Sequence, residues 1–405
     1  MTTSTTSPSA PTARPTGRGE RHGFVDALRG FALLGILVVN IEFIVQPSEV
    51  GWSNYTSDID RVVRALVIAL GQTKVYPLFA LLFGYGLALQ LQKAEATGSD
   101  LWPRYRRRMV GLAILGVAHG VLFFPGDILV IYAVIGAVAF RLRRLPTHRL
   151  LRIAGWTYGV VSVLWLALGV AEAVAGASAG SGPSAPADVV LALSEGSFGD
   201  VVAVHAVYWI VTLGILSVVQ GPAVFASFLA GVALGRTSLL ADPDRHRDLA
   251  LRMLRWAPLG LLAAGVGAGL TIAGGRWATL GFAVGFAAAP LVGAGYLAGL
   301  ALALPHLRRL SRVLQATGRM SLTVYLLESV VASTLAYGYG AGLVGTTGPA
   351  AGVGLAVGIW LALTVFAVGW MRLARFGQID GERHAPRCLQ HPRQTAEVGK
   401  GERQP

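Results

Sequence analysis

The sequence predicts an all-α protein: a polytopic membrane helix bundle of about ten transmembrane helices, with N- and C-termini cytoplasmic and two interfacial amphipathic segments. Three observations predict it. Of 405 residues, 54% are hydrophobic and only 14% charged, against roughly 25% charged in a soluble domain, and the mean hydropathy is +0.58. The apolar runs are continuous rather than alternating, which implies helices and not an outer-membrane barrel. The formal charge of +13 falls in short loops between those runs, so it reports topology under the positive-inside rule rather than a nucleic-acid partner. The expected surroundings are the lipid bilayer of the cell membrane. The 52 glycines suit closely approaching helices. Cys388 is the single cysteine, so no internal disulfide framework or cysteine-rich metal motif is available.

Residues 1–20 are rich in Thr, Ser, Pro and Gly and predict a disordered arm. The first membrane half, 21–175, opens with a span over about 24–45, leading from a basic start to an outer loop holding Glu49, Asp58 and Asp60. Residues 59–71 place Arg61 and Arg64 one turn apart in an apolar stretch and predict the first interfacial segment. The second span, about 75–92, returns to Lys93, Arg104, Arg106, Arg107 and Arg108. Spans three (109–124) and four (127–142) form a hairpin whose outer turn holds the breakers Pro125 and Gly126. Span five (153–175) follows a basic return with Arg141, Arg143, Arg144, Arg149 and Arg152.

An outer linker, 176–200, contains no Lys or Arg. The second membrane half, 201–377, must cross an odd number of times before the basic stretch Arg236–Arg255. Residues 200–215 are therefore assigned to the second interfacial segment or to part of a long tilted helix, and 218–235 to span six. In support, Leu78–Leu89 is echoed by Val224–Gly235. Spans seven (256–274), eight (278–304), nine (319–339) and ten (350–371) follow, with basic loops at Arg308–Arg319 and Arg372–Arg375. A disordered basic tail is expected over 378–405.

Polar side chains inside apolar spans are costly, about 2.5–3.5 kcal/mol for a charge at a helix centre on insertion scales, and need partners or a function. In span one, Asp26 and Arg29 share a face and Asn40 returns to nearly the same stripe. Gly30 beside it leaves room for a helix or a ligand. The bland reading is a headgroup-level ion pair and an interhelical hydrogen bond; the functional one is a polar track in which Arg29 holds a phosphate or carboxylate. His119 lies about 16 Å into span three at 1.5 Å per residue, and a neutral imidazole there suits general-base catalysis if Asp127 orients it directly or through Tyr132. The alternative is a buried histidine bonded to a neighbouring carbonyl or to Asn40. Lys74 and Tyr76 read as snorkelling to the outer surface, and a membrane-interface belt explains His205 and Trp209, one turn apart, as well as a site does. In span nine, Ser321, Tyr325 and Glu328 share one side, and Glu328 is deep enough to be neutral, paired or beside an aqueous cavity. The chain has no phosphate-cradling glycine loop, no HExxH and no GxSxG, which argues against ATP-driven transport, zinc proteolysis and serine hydrolysis.

Asp26-Ala27-Leu28-Arg29-Gly30 through Asn40-Ile41, His119-Gly120 with Gly126-Asp127-Ile128-Leu129, and Gly318-Arg319-Met320-Ser321-Leu322-Thr323-Val324-Tyr325-Leu326 together resemble the YeiB-like bacterial membrane proteins that carry domain of unknown function 418. The likeness covers most of 21–377. The opening Asp-x-x-Arg-Gly helix is also similar to that of the broader transmembrane acyltransferase group, which includes heparan-glucosaminide acetyltransferases and sugar O-acyltransferases. What this resemblance implies is a ten-helix bundle and acyl transfer with acyl-CoA as co-substrate rather than a bound cofactor, His119 as the base, and a small-molecule, lipid or glycan acceptor. The family label also implies a competing role as a transporter or exporter. One departure stands out: where relatives continue with a Pro-Leu-Glu-Trp-like segment, this chain has Gln378-Ile379-Asp380-Gly381.

Overall fold

The computed structural model describes residues 23–46, 57–176 and 185–384, with side chains to position 373. All regular structure among them is helical. In chain order the helices are α1 (Gly23–Val45), α2 (Asp58–Leu66), a π-helical stretch (Val67–Gly71), α3 (Val75–Ala96), α4 (Trp102–Leu122), α5 (Leu129–Leu142) and α6 (Thr147–Ala175). They continue as α7 (Ala187–Glu195), α8 (Phe198–Val219), α9 (Gly221–Leu234), α10 (Arg247–Ala273), α11 (Ala278–Ala303), α12 (Arg308–Arg319), α13 (Ser321–Ala336) and α14 (Pro349–His384).

The protein is a multi-pass membrane helix bundle. Seven helical stretches among the described residues are long and apolar enough to cross a bilayer: α1, α2 through α3, α6, α8, α10, α11 and α14. The apolar helices α5, α9 and α13 are shorter. Each of the ten expected spans coincides with a helix. Arg236, just past α9, donates to the Leu145 carbonyl at 2.7 Å. The end of α9 therefore sits at the basic α5–α6 turn, as the charge pattern of the loops requires.

Glycines set the tightest crossings. A Cβ on Gly84 of α3 would lie 2.0 Å from the Phe228 carbonyl oxygen, and one on Gly231 of α9 would lie 1.9 Å from that of Leu81. The two echoing segments thus pack against each other, running parallel, and the echo marks where backbone meets backbone. At the other crossing, Gly30 of α1 faces the Leu314 carbonyl and Gly318 of α12 faces that of Asp26, so the space beside Gly30 is filled by a helix.

Four expectations are corrected. The 200–215 segment is no separate interfacial helix but part of α8, long and apolar enough to cross a membrane, in line with the second of the two alternatives. Its start is fixed by a capping box in which Ser197 and Asp200 satisfy each other's backbone N–H. The first amphipathic segment is inverted: Ile59, Val62 and Leu66 are exposed, while Asp60 and Arg64 are buried. The basic loop expected at Arg308–Arg319 is itself the amphipathic helix α12, which Met320 separates from α13, the helix that forms span nine. Finally, α14 continues past Gly377 to His384, so the polar segment starting at Gln378 is helical at its beginning. The expected arm at 1–20 and the remainder of the tail lie outside the described residues.

Candidate functional site

His119 and Asp127 come together at the α4–α5 hairpin. Asp127 N–H bonds the Phe124 carbonyl at 3.1 Å, and Phe124 N–H bonds the His119 carbonyl at 3.0 Å, so the turn folds the carboxylate back toward the imidazole. His119 Nδ1 lies 2.9 Å from Asp127 Oδ1, with the two side chains 2% and 0% exposed. The contact is direct; the bridging by water or Tyr132 considered above is not needed. Gly116, one turn before His119, makes room for it: a Cβ there would lie 2.9 Å from Asp127 Oδ2.

Asp127 receives two further donors. Leu129 N–H reaches Oδ2 at 2.8 Å, capping the start of α5. Tyr325 of α13 donates its hydroxyl to Oδ1 at 3.1 Å, and its ring packs 5.2 Å from the imidazole. Asp127 thus already accepts from Leu129 N–H and Tyr325, and the tautomer that fits this acceptor role carries the imidazole proton on Nδ1 and leaves Nε2 with its lone pair. That Nε2 is buried and has no hydrogen-bond partner among the described residues.

Beside this group, Tyr76 of α3 donates to Asn40 Oδ1, both buried, and Tyr132 of α5 donates to the Tyr76 carbonyl at 2.9 Å. Asn40 thus keeps its amide N–H groups for another acceptor. Tyr132 also packs 5.5 Å from Phe83, which lies under the Arg108 guanidinium at 5.5 Å.

Asp26 and Arg29 occupy the other end of α1. Arg29 Nη1 bonds Asp26 Oδ1 at 3.0 Å, and Arg319 Nε approaches Asp26 Oδ2 at 3.5 Å. The Arg29 side chain remains 28% exposed and lies within electrostatic reach of Arg108. Eleven residues of helix, about 16 Å, separate Arg29 from Asn40. The polar track is therefore two groups joined by the length of α1. Glu328 is buried one turn past Tyr325, and neither of its carboxylate oxygens has a hydrogen-bond partner among the described residues. No contact brings it to His119.

Sequence reasoning missed Arg108 and the buried pair of Glu42 on α1 with Arg64 on α2, and it read Tyr76 as snorkelling, whereas Tyr76 is buried on Asn40. It also misread Lys74, which does not snorkel: it is 2% exposed and donates to the Ile68 carbonyl at 3.0 Å. His205 is likewise buried, 3.1 Å from the Tyr337 hydroxyl, while Trp209 packs on Gly120.

Residues 234–380 match the family described as Protein of unknown function (DUF418). The chain is 29% identical over 391 residues to the uncharacterized protein YxaH of Bacillus subtilis (strain 168), covering 91% of this chain and 94% of that one. It is also 29% identical over 394 residues to the uncharacterized protein YeiB of Escherichia coli (strain K12), covering 89% and 94%. A third relative, an uncharacterized 39.9 kDa protein in the amylase 3'region of Bacillus acidopullulyticus, is 31% identical over 158 residues, 39% of this chain and 43% of that one. The family match holds Arg319, Tyr325 and Glu328, whereas Arg29, Asn40, His119 and Asp127 lie before it. The chain is thus similar over most of its length to YxaH and YeiB, and its second half matches the domain of unknown function 418.

Proposed function

We propose that the protein is an integral-membrane acyltransferase that moves an acyl group from a cytoplasmic donor, acyl-CoA, to a hydroxyl or amine acceptor reached from the bilayer or the outer side. The observation that carries this reading is the bare, buried Nε2 of His119 on an imidazole whose other nitrogen lies 2.9 Å from Asp127, which also accepts from Leu129 N–H and Tyr325. That is the arrangement of a general base: one nitrogen fixed, the other directed to accept a proton.

In the proposed reaction His119 Nε2 takes the acceptor's proton as the acceptor oxygen or nitrogen attacks the thioester carbonyl. The carbon–sulfur bond then breaks, and the imidazolium returns its proton to the departing thiolate. Asp127 stabilises the imidazolium between those steps. Asn40 donates an amide N–H to the carbonyl oxygen as it gains charge, and Arg29, with Arg108 nearby, holds donor phosphate at the cytoplasmic end. The 16 Å between the two ends of the track suits a donor with a long arm between phosphate and thioester.

The test is consumption of acyl-CoA by protein reconstituted in nanodiscs with a panel of hydroxyl and amine acceptors. Wild type should release free thiol, and His119→Ala should abolish release while keeping the same thermal unfolding profile. Undiminished turnover in the variant sinks the mechanism. The unpartnered carboxylate of Glu328 favours a second reading, proton-coupled transport of a small metabolite. Under it, reconstituted vesicles would show pH-driven uptake lost in Glu328→Gln, with no acyl-CoA consumed.

A further inference from the structure

A second site, independent of the acyl-transfer reading, lies between α3, α6, α9 and α11. It is a cavity of about 450 Å³, within the range of small-ligand pockets. Its walls are mainly small and apolar: Ala154 and Gly155 of α6, Ala226 and Ala230 of α9, and Ala289 and Ala294 of α11 are among them. Gly155, Gly159 and Pro290 at its edge are exposed on the outside of the bundle, so the cavity opens sideways, where lipid would be. Lys74 is its only charged lining residue.

Two features show that this is a built space. Pro290 has no N–H to return to the Phe286 carbonyl one turn before it. Tyr158, also lining the cavity, supplies the missing donor at 2.5 Å. The wall is thereby held open without an orphaned backbone group. Lys74 is buried and spends one donor on the Ile68 carbonyl, next to the π-helical turn. An ammonium has three donors, and the Ile68 carbonyl is its one hydrogen-bond acceptor among the described residues. An interior cation without a counter-ion is costly, and an entering anion relieves that cost.

The geometry points to a binding site for a single-chain fatty carboxylate, with its hydrocarbon along the alanine- and glycine-lined walls and its head on Lys74. Charge decides the head group. One buried cation is neutralised by one carboxylate, whereas a phosphate monoester at about −1.5 to −2 leaves excess negative charge in an apolar site. From Ala289 to Leu297 on α11 the lining spans eight residues, about 12 Å, so the site takes a chain segment rather than a flat polar molecule.

The experiment uses photoreactive palmitate and matched photoreactive hexadecanol with the full chain in membrane vesicles, and maps cross-linked peptides by mass spectrometry. Palmitate should label α6, α9 and α11 peptides around Ala154, Ala230 and Pro290, and plain palmitate should compete it away. Lys74→Met should lower that labelling at least about tenfold, as expected for one charge-assisted hydrogen bond, and Lys74→Arg should retain it. Hexadecanol should label weakly and equally in wild type and Lys74→Met. Ala230→Leu, which fills the cavity and leaves Lys74 in place, should also abolish palmitate labelling, and it decides the matter if Lys74→Met does not accumulate. Labelling unchanged by both Lys74→Met and Ala230→Leu, or confined to other helices, overturns the site. Hexadecyl phosphate competing more strongly than palmitate overturns the carboxylate assignment.

Discussion

Replacing Asp127 by asparagine tests whether the carboxylate sets the protonation of His119. In the native site Oδ2 accepts from Leu129 N–H at 2.8 Å, while Oδ1 accepts from His119 Nδ1 at 2.9 Å and from the Tyr325 hydroxyl at 3.1 Å. An asparagine has one acceptor oxygen and two amide donors. With its NH₂ toward Leu129 it opposes two donors, which leaves a buried N–H unsatisfied at about 1–3 kcal/mol. With its oxygen toward Leu129 the backbone bond survives and the NH₂ donates to His119 Nδ1 and the Tyr325 oxygen, while the Tyr325 hydroxyl proton and the new Nε2–H are left without acceptors. The second orientation wins. His119 must then accept at Nδ1 and carry its proton on Nε2, so the base is lost while the fold is kept. Nitrogen-15 spectra of histidine-labelled protein should show the protonated nitrogen moving from Nδ1 to Nε2, with a loss in unfolding free energy of about 1–3 kcal/mol. Any acyl-transfer rate should fall by about 10⁴-fold, as in a Ser-His-Asp triad treated the same way. A variant whose Nδ1 stays protonated would refute the reasoning.

Other perturbations probe the frame around the site. Gly116→Ala places a methyl 2.9 Å from Asp127 Oδ2 and equally close to the Val130 backbone nitrogen; thermal unfolding should report a loss of about 1–3 kcal/mol, with a disturbed His119 resonance. Glu42→Leu or Arg64→Leu alone breaks the buried ion pair and should cost about 3–5 kcal/mol; additive losses in the double variant would contradict a coupling between them. Gly318→Val drives a side chain into the Asp26 carbonyl, 1.7 Å from a Cβ, and should separate α12 from α1, read as a large rise in proteolysis at Arg308–Arg319.

Much of the bundle was legible because hydropathy, breakers and loop charge are local. The His119–Asp127 contact was within reach for the same reason: eight residues and a Pro-Gly turn join them. Tyr325 is different. It arrives on α13, some two hundred positions later, and no local spacing links it to Asp127; the sequence placed it only on a common side with Ser321 and Glu328. The pairing of Glu42 with Arg64 was hidden because Arg61 and Arg64 have the same helical pattern on the page, yet one is solvated and the other faces inward. Lys74 was misread because an apolar neighbourhood and a terminal position suggest snorkelling, whereas the adjacent π-helical turn supplies a carbonyl that draws the ammonium in. The length of α8 was hidden by His205, whose polarity suggested an interface but which bonds Tyr337 instead.

The central claim is that one donor molecule spans the two polar groups, with its phosphate at Arg29 and its reacting end at the Nε2 of His119. A cryo-electron microscopy map of the protein in nanodiscs with a non-hydrolysable thioether analogue of acyl-CoA tests it most directly. The account predicts phosphate density against Arg29 and Arg108, with the arm running past Phe83 and Tyr132 and the thioether within hydrogen-bonding distance of a group held by His119. Phosphate density elsewhere, or an arm that leaves His119 covered by Tyr325 with nothing beside it, would contradict it.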